Sequence, residues 1–319
     1  MTVVGLKPWL PWPLSRWPWW TVPVRAERLA ALRIGLALVL LGDVLTTYLP
    51  NAPVFFGAGS LGDPALFRWN FRPPHWNWSL LYGVGDPHVI VGAMLVWAAA
   101  VFGLLLGLGA RWCALVAWLL STSFATLNPY VDNSGDQLRG ILLFYLMLCP
   151  CGAVWSVDAW RRRRRRGAAE PIFVYPWPLR LIFLQMVLVY FCNGVHKLTG
   201  HDWPAGTSLY YVLGDLTLAR WSYAAVTVPF GLTRLLTWTV LAWEVSFPAL
   251  MLWRRTRVPA LCFGAAFHLG IWVSLEVGNF APYALCLYLP LLPWERAFGP
   301  RTGKWDQAPD GANRRDYVV

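Results

Sequence analysis

A chain of 319 residues that is 57% apolar and only 13% charged cannot cover a soluble core of that size in polar surface. Its net charge of +11 does not point to nucleic acid, because the basic residues fall mostly between apolar runs, where they set helix orientation. Several runs approach the ~20 residues a helix needs to cross a bilayer. None alternates as barrel strands do. The expected fold class is all-α, a polytopic membrane helical bundle of about eight transmembrane helices with two long extracytoplasmic loops.

Met1–Val24 is crowded with Trp9, Trp12, Trp17, Trp19 and Trp20, with prolines between them. Proline at that density forbids a regular helix and tryptophan favours the headgroup layer, so an interfacial arm on the cytoplasmic face is expected rather than a cleaved presequence. The membrane domain then runs over 25–296, and 297–319 is a polar cytoplasmic tail. Its helices are placed at Ala26–Tyr48, His88–Leu108, Trp112–Leu127, Asp136–Cys149, Pro178–Lys197, Leu232–Trp253, Val258–Glu276 and Phe280–Pro293, the fourth and eighth being short for a full span. The loops Asn51–Pro87 and Leu198–Gly231 are too apolar for disordered linkers and are expected to hold short interfacial helices.

Arg161–Arg166, and Arg254, Arg255 and Arg257, read as loop signals that fix topology and can touch anionic lipid. With the N-terminus in the cytoplasm and eight crossings, 21 of the 27 basic residues lie on the cytoplasmic side. The expected location is the cell membrane, multi-pass, with both termini cytoplasmic. The six cysteines match neither a zinc site nor a redox pair, so no metal and no disulfide are expected.

The ionisable residues at helix depth gather in the outer half. Asp43 lies on the first helix, Asp136 and Arg139 on the fourth, Lys197 on the fifth and Glu276 on the seventh. Such groups are costly in lipid and mark functional sites by default. They are expected to surround one outward-opening pocket, with Tyr190, Asn193 and Lys197 sharing a helix face and His268 sharing one with Trp272 and Glu276. Glu244 and His268, near mid-depth, read as a structural pair. A lysine held away from bulk water can serve as a general base, a task that a close carboxylate would oppose.

Three stretches resemble the membrane domain of vitamin K-dependent γ-glutamyl carboxylase and its bacterial relatives, the horizontally transferred transmembrane (HTTM) proteins. They are Gln185–Phe191 continuing through Gly194-Val195-His196-Lys197-Leu198 to Asp202-Trp203 and Gly206, Phe267-His268-Leu269 running to Asn279-Phe280, and Asn133–Gly140. Pro150 and Trp155–Asp158 fit as well. The resemblance implies that Lys197 is the base toward a reduced quinone of menaquinol or vitamin K hydroquinone type, with His196 in the place of a neighbouring lysine. In the carboxylase the deprotonated quinol reacts with oxygen to give a strong base, which removes a γ-proton from glutamate before CO2 adds. Two departures argue against peptide carboxylation by this chain alone. Ser134, Gly135 and Asp136 stand where the animal enzyme has a supporting histidine, and no large lumenal domain follows the last helix. The resemblance thus implies a quinol-coupled or peptide-modifying activity at the extracytoplasmic face, with membrane lipid, a secreted peptide substrate and a partner protein as associates and no nucleic acid. It leaves open a non-enzymatic maturation or export factor for a small secreted peptide, as in the sporulation-delaying protein B group.

Overall fold

The structure is a computed structural model and describes residues 2–4, 18–65, 79–128, 130–166, 171–221 and 228–298. The Trp/Pro run of 5–17, the Phe71–Pro74 and Trp76–Trp78 stretches and the tail beyond 298 lie outside the described residues. In chain order the elements are β1 (Thr2–Val4), α1 (Pro18–Thr21), β2 (Val24–Arg25), α2 (Glu27–Asp43), α3 (Ala52–Phe55), α4 (Pro87–Leu106), α5 (Ala110–Leu127), α6 (Ser134–Leu148), α7 (Val157–Arg166), β3 (Ile172–Val174), α8 (Trp177–Thr199), α9 (Asp202–Ala205), α10 (Ser208–Gly214), α11 (Phe230–Leu252), α12 (Arg254–Ser274), α13 (Phe280–Cys286) and α14 (Trp294–Phe298). A π-helical turn, Val44–Tyr48, continues α2, and a 3-10 turn, Leu289–Leu291, precedes α14.

Six of these helices are long and apolar enough to cross a membrane: α2 with its π turn, α4, α5, α8, α11 and α12. The chain is an all-α, polytopic membrane protein. The fourth and eighth expected helices are short, as α6 with 15 residues and α13 with 7. Short helices do punctuate the expected loops, as α3, α9 and α10.

Two features depart from the sequence reading. The described residues before α2 include strands β1 and β2 as well as the short helix α1, and β3 pairs parallel with β1 and antiparallel with β2 in a small sheet. Strand pairing satisfies the backbone groups of these short extended segments. The arginine run is a helix rather than a loop. Arginine is a good helix former, and Ser156 starts α7 by accepting from the Ala159 amide at 2.9 Å.

The chain divides into two compact units, one formed by Met1–Arg180 with Leu289–Val319 and the other by Leu181–Tyr288. In the first, α2 packs against α4, α6, the 3-10 turn and α14, while α5 packs against both α4 and α6. Asp86 caps α4 by accepting from the His88 amide at 2.8 Å, Pro87 occupies its first turn, and Gly107 ends it at φ +70°. Arg33 of α2 is fully buried and donates to the carbonyls of Cys151 (2.9 Å), Val154 (3.4 Å) and Trp155 (2.5 Å), so the segment after α6 wraps around one guanidinium. This satisfies buried carbonyls of the non-helical segment between α6 and α7. Trp97 stacks on Phe124 at 5.3 Å in the core of this unit, with the Tyr48 ring edge-on to Trp97 at 5.1 Å.

In the second unit α11 packs against α10 and α12, and α12 against α13. The end of α12 is tied down by backbone bonds from Arg220 to Ser274 and from Glu276 to Leu218, at 2.9 and 2.7 Å.

Candidate functional site

Each unit holds a buried cluster of ionisable side chains from several elements. In the first, Asn133 and Asp136 form a capping box that starts α6: the Asn133 side chain accepts from the Gly135 amide at 2.7 Å, and Asp136 Oδ2 accepts from the Asn133 amide at 2.9 Å. The other Asp136 oxygen lies 2.5 Å from Arg139 Nη1 and accepts from Tyr48 at 3.1 Å. Arg139 Nη1 also reaches Asp43 at 3.6 Å and the Tyr48 hydroxyl at 3.3 Å, and its guanidinium lies 5.2 Å from the Trp97 ring centre. The wide π turn after Asp43 brings positions 43 and 48, five apart, to the same arginine. Asp43, Asp136 and Arg139, three of the five residues expected around one pocket, are therefore brought together.

Asp132, just ahead of α6, was not singled out by the sequence. Its Oδ1 is buried without a hydrogen-bond partner among the described residues. Burial, reinforced by the Asp136 carboxylate and opposed by Arg139, pushes its carboxyl up to about 6. The folded value exceeds the unfolded one of ~3.9, so the folded state holds this proton more tightly. Stability from this group is full below about pH 4 and is lost as pH rises through about 6. Asp132→Asn should flatten the decline in thermal midpoint between those values. An unchanged slope would assign the decline to another group.

The second cluster is built around α8. Its buried stripe runs through Ile182, Met186, Tyr190 and Gly194, four residues apart, and continues to Lys197. Lys197 Nζ lies 2.7 Å from both carboxylate oxygens of Glu244 on α11. The lysine side chain is 20% exposed and the glutamate 3%, so the lysine is the more accessible member of a largely buried pair. The Trp203 ring, on α9, covers the ammonium at 4.1 Å, and the Phe267 ring centre lies 6.0 Å away. Gly194 makes the pairing possible, because a Cβ there would sit 2.9 Å from the Glu244 Cβ and 2.8 Å from the Val245 nitrogen. Gly194→Val should force the two helices apart and destabilise the unit by about 1–3 kcal/mol. Thermal unfolding in detergent measures this, and a wild-type midpoint would contradict so close an approach.

Next to this pair, Tyr190 O–H joins His268 Nε2 and the Tyr288 hydroxyl, each at 2.7 Å. His268 is buried among aromatics, with ring centres of Phe267, Phe280 and Tyr190 at 5.3, 5.6 and 5.8 Å. Its Nδ1 has no hydrogen-bond partner among the described residues. Gly264 leaves the room for Trp243 and Tyr288 to approach.

Other expected placements change. Glu244 pairs with Lys197, not with His268, because Gly194 lets α11 come close at the depth of Glu244. Asn193 is exposed: the inner face passes through Gly194, one position and 100° further round. His196 is exposed on the side away from Gly194 and has no bond to the Lys197–Glu244 pair among the described residues. Glu276 lies at the surface, 3.4 Å from Arg220. Sequence reasoning missed Tyr288 and the role of Trp203. A glycine at helix depth facing a lone carboxylate was the available signal for Glu244.

No solved structure matches the chain. The family model described as the HTTM domain matches residues 22–294, which includes both clusters. Six spanning helices, the lysine-centred motif on α8 and this match over most of the length place the chain in the HTTM domain family, within the γ-carboxylase-like superfamily.

Proposed function

We propose that the chain is a membrane enzyme in which Lys197 takes a proton from the hydroxyl of a reduced quinone of menaquinol or vitamin K hydroquinone type. The observation that carries this reading is the Lys197–Glu244 pair, both bonds at 2.7 Å, in which the lysine is the more accessible partner. A carboxylate so close opposes a free amine in water, but burying two charges is costly. Passing the proton from Lys197 to Glu244 leaves a neutral amine and a neutral acid, and moves no net charge out of the site. The neutral amine of Lys197 would then accept the hydroxyl proton of a bound quinol, with Glu244 holding the first proton.

The aromatic surroundings fit a flat ring: Trp203 and Phe267 lie against the amine, and Phe267 is continuous with the rings around His268. The unpartnered Nδ1 of His268 supplies a second polar contact for a ligand oxygen, because a buried ring nitrogen without a partner is costly. Tyr190 holds that ring in place. We assign this cluster to the extracytoplasmic side of the cell membrane, with both termini cytoplasmic. A Leu216→Cys probe, exposed beyond α10, should react with impermeant reagent in intact cells once the native cysteines are removed. A small secreted peptide, presented by a partner protein, is the second substrate of this reading.

Quinol-dependent oxygen consumption by the purified protein tests it. Wild type should consume oxygen with a reduced naphthoquinone, and Glu244→Gln should slow that while retaining the bound quinone in native mass spectrometry. A wild-type protein that neither binds nor turns over the quinol defeats the reading. A second reading, a non-enzymatic maturation or export factor for a small secreted peptide, has one observation in its favour: Lys197 is bonded to both oxygens of Glu244, as an anchoring lysine would be. A bound peptide and no quinone in the same spectra would select it.

A further inference from the structure

Five consecutive arginines, Arg161–Arg165, are exposed on α7. Like charges four apart on a helix repel, so this helix needs an anchor. Its first turn supplies one: Asp158 Oδ2 accepts from the Gly109 amide at 2.7 Å, and Arg162 donates to the carbonyls of Gly152 and Ala153 at 3.2 and 3.0 Å. Gly109 is the turn between the spanning helices α4 and α5, and Gly152 follows the end of α6. Helix α7 therefore starts at the end of the first unit where spanning helices leave the apolar layer.

At 100° per residue, buried Ala159 and Arg162 take the inner side of α7, and Trp160, Arg161, Arg164 and Arg165 the outer one. Trp160 is 51% exposed, and the Arg164 guanidinium lies 4.0 Å over its ring. Arg161 reaches only Asp158, at 3.8 Å, and Arg163, Arg164 and Arg165 have no ion-pair partner among the described residues. Trp112, in the first turn of α5 at this same end, is 74% exposed. Water favours the guanidinium groups but not the indoles. A layer of phospholipid headgroups accommodates both, since indoles settle at the interface and guanidinium groups bind phosphate through paired N–H donors.

We propose that the outer face of α7, Trp160 with Arg161, Arg164 and Arg165, binds the anionic phospholipid headgroups of the surrounding bilayer. The inference is independent of the chemistry at Lys197. Native mass spectrometry of the detergent-purified protein, titrated with phosphatidylglycerol or phosphatidylcholine, tests it. Wild type should retain phosphatidylglycerol selectively. The triple variant Arg161→Gln, Arg164→Gln, Arg165→Gln should bind it on the order of 100-fold more weakly, about fivefold per arginine. An Arg220→Gln control, at a surface arginine paired with Glu276, should bind it as wild type does. Where the triple variant does not purify as a single species, Arg164→Gln alone should lose about fivefold. Undiminished phosphatidylglycerol binding in the α7 variants, or an equal loss in the control, overturns the proposal.

Discussion

Replacing Lys197 by arginine is expected to lower quinol-dependent turnover by about 10²–10⁴-fold, the usual contribution of a positioned base, while the protein remains in the membrane at wild-type abundance. Arginine keeps the positive charge and can bind the Glu244 carboxylate with two N–H donors, so the contact between α8 and α11 persists. It cannot give up its proton, so no amine forms to receive one. Lys197→Met should lose the same activity and also lose stability, because it leaves the largely buried Glu244 without its partner. His196→Ala should change little, since that ring is exposed and outside the pair. If Lys197→Arg turns over at the wild-type rate, the lysine is an anchor and the maturation-factor reading takes the lead.

The largest effect on stability is expected at Arg139. This side chain is fully buried and stands between Asp43 and Asp136, themselves buried. Arg139→Leu removes the cation and leaves two carboxylates in an apolar interior, a change worth about 3–5 kcal/mol. Asp43→Asn with Asp136→Asn in the same chain should recover part of that loss, because the stranded charges are then gone. Thermal unfolding in detergent and membrane yield report both. An Arg139→Leu protein as stable as wild type would show that the cluster does not hold the first unit together.

The helices were legible because their signal is collective. Runs such as Val89–Leu106 carry no charge over a full span, and Asp86-Pro87 ahead of α4 and Gly107 behind it are local start and stop signals. The cost of leaving such residues in lipid grouped Asp43, Asp136 and Arg139 with Lys197 and Glu276, while helix spacing set Tyr190 beside Asn193 and His268 beside Trp272 and Glu276, three neighbours that are exposed. What escaped the sequence depends on how closely two helices approach. Gly194 sets the distance between α8 and α11, and through it gives Lys197 the partner that had been assigned to His268. A rotation of one position separates buried Gly194 from exposed Asn193, a difference finer than a face read from residue spacing resolves. Glu276 looked like a site residue because it ends a spanning helix, yet it lies in a surface pair with Arg220. The arginine run looked like a loop because its charge overshadowed the good helix propensity of arginine and the capping hydroxyl of Ser156.

The most direct test of Lys197 as a base is optical. A reduced naphthoquinone is mixed anaerobically with the purified protein at a pH where the free quinol is neutral, and the near-ultraviolet spectrum is followed. The account predicts the red-shifted absorption of the quinolate anion in stoichiometric amount on wild type, and the spectrum of the neutral quinol on Lys197→Met. A neutral quinol bound to wild type, or the same anion spectrum on Lys197→Met, would contradict it.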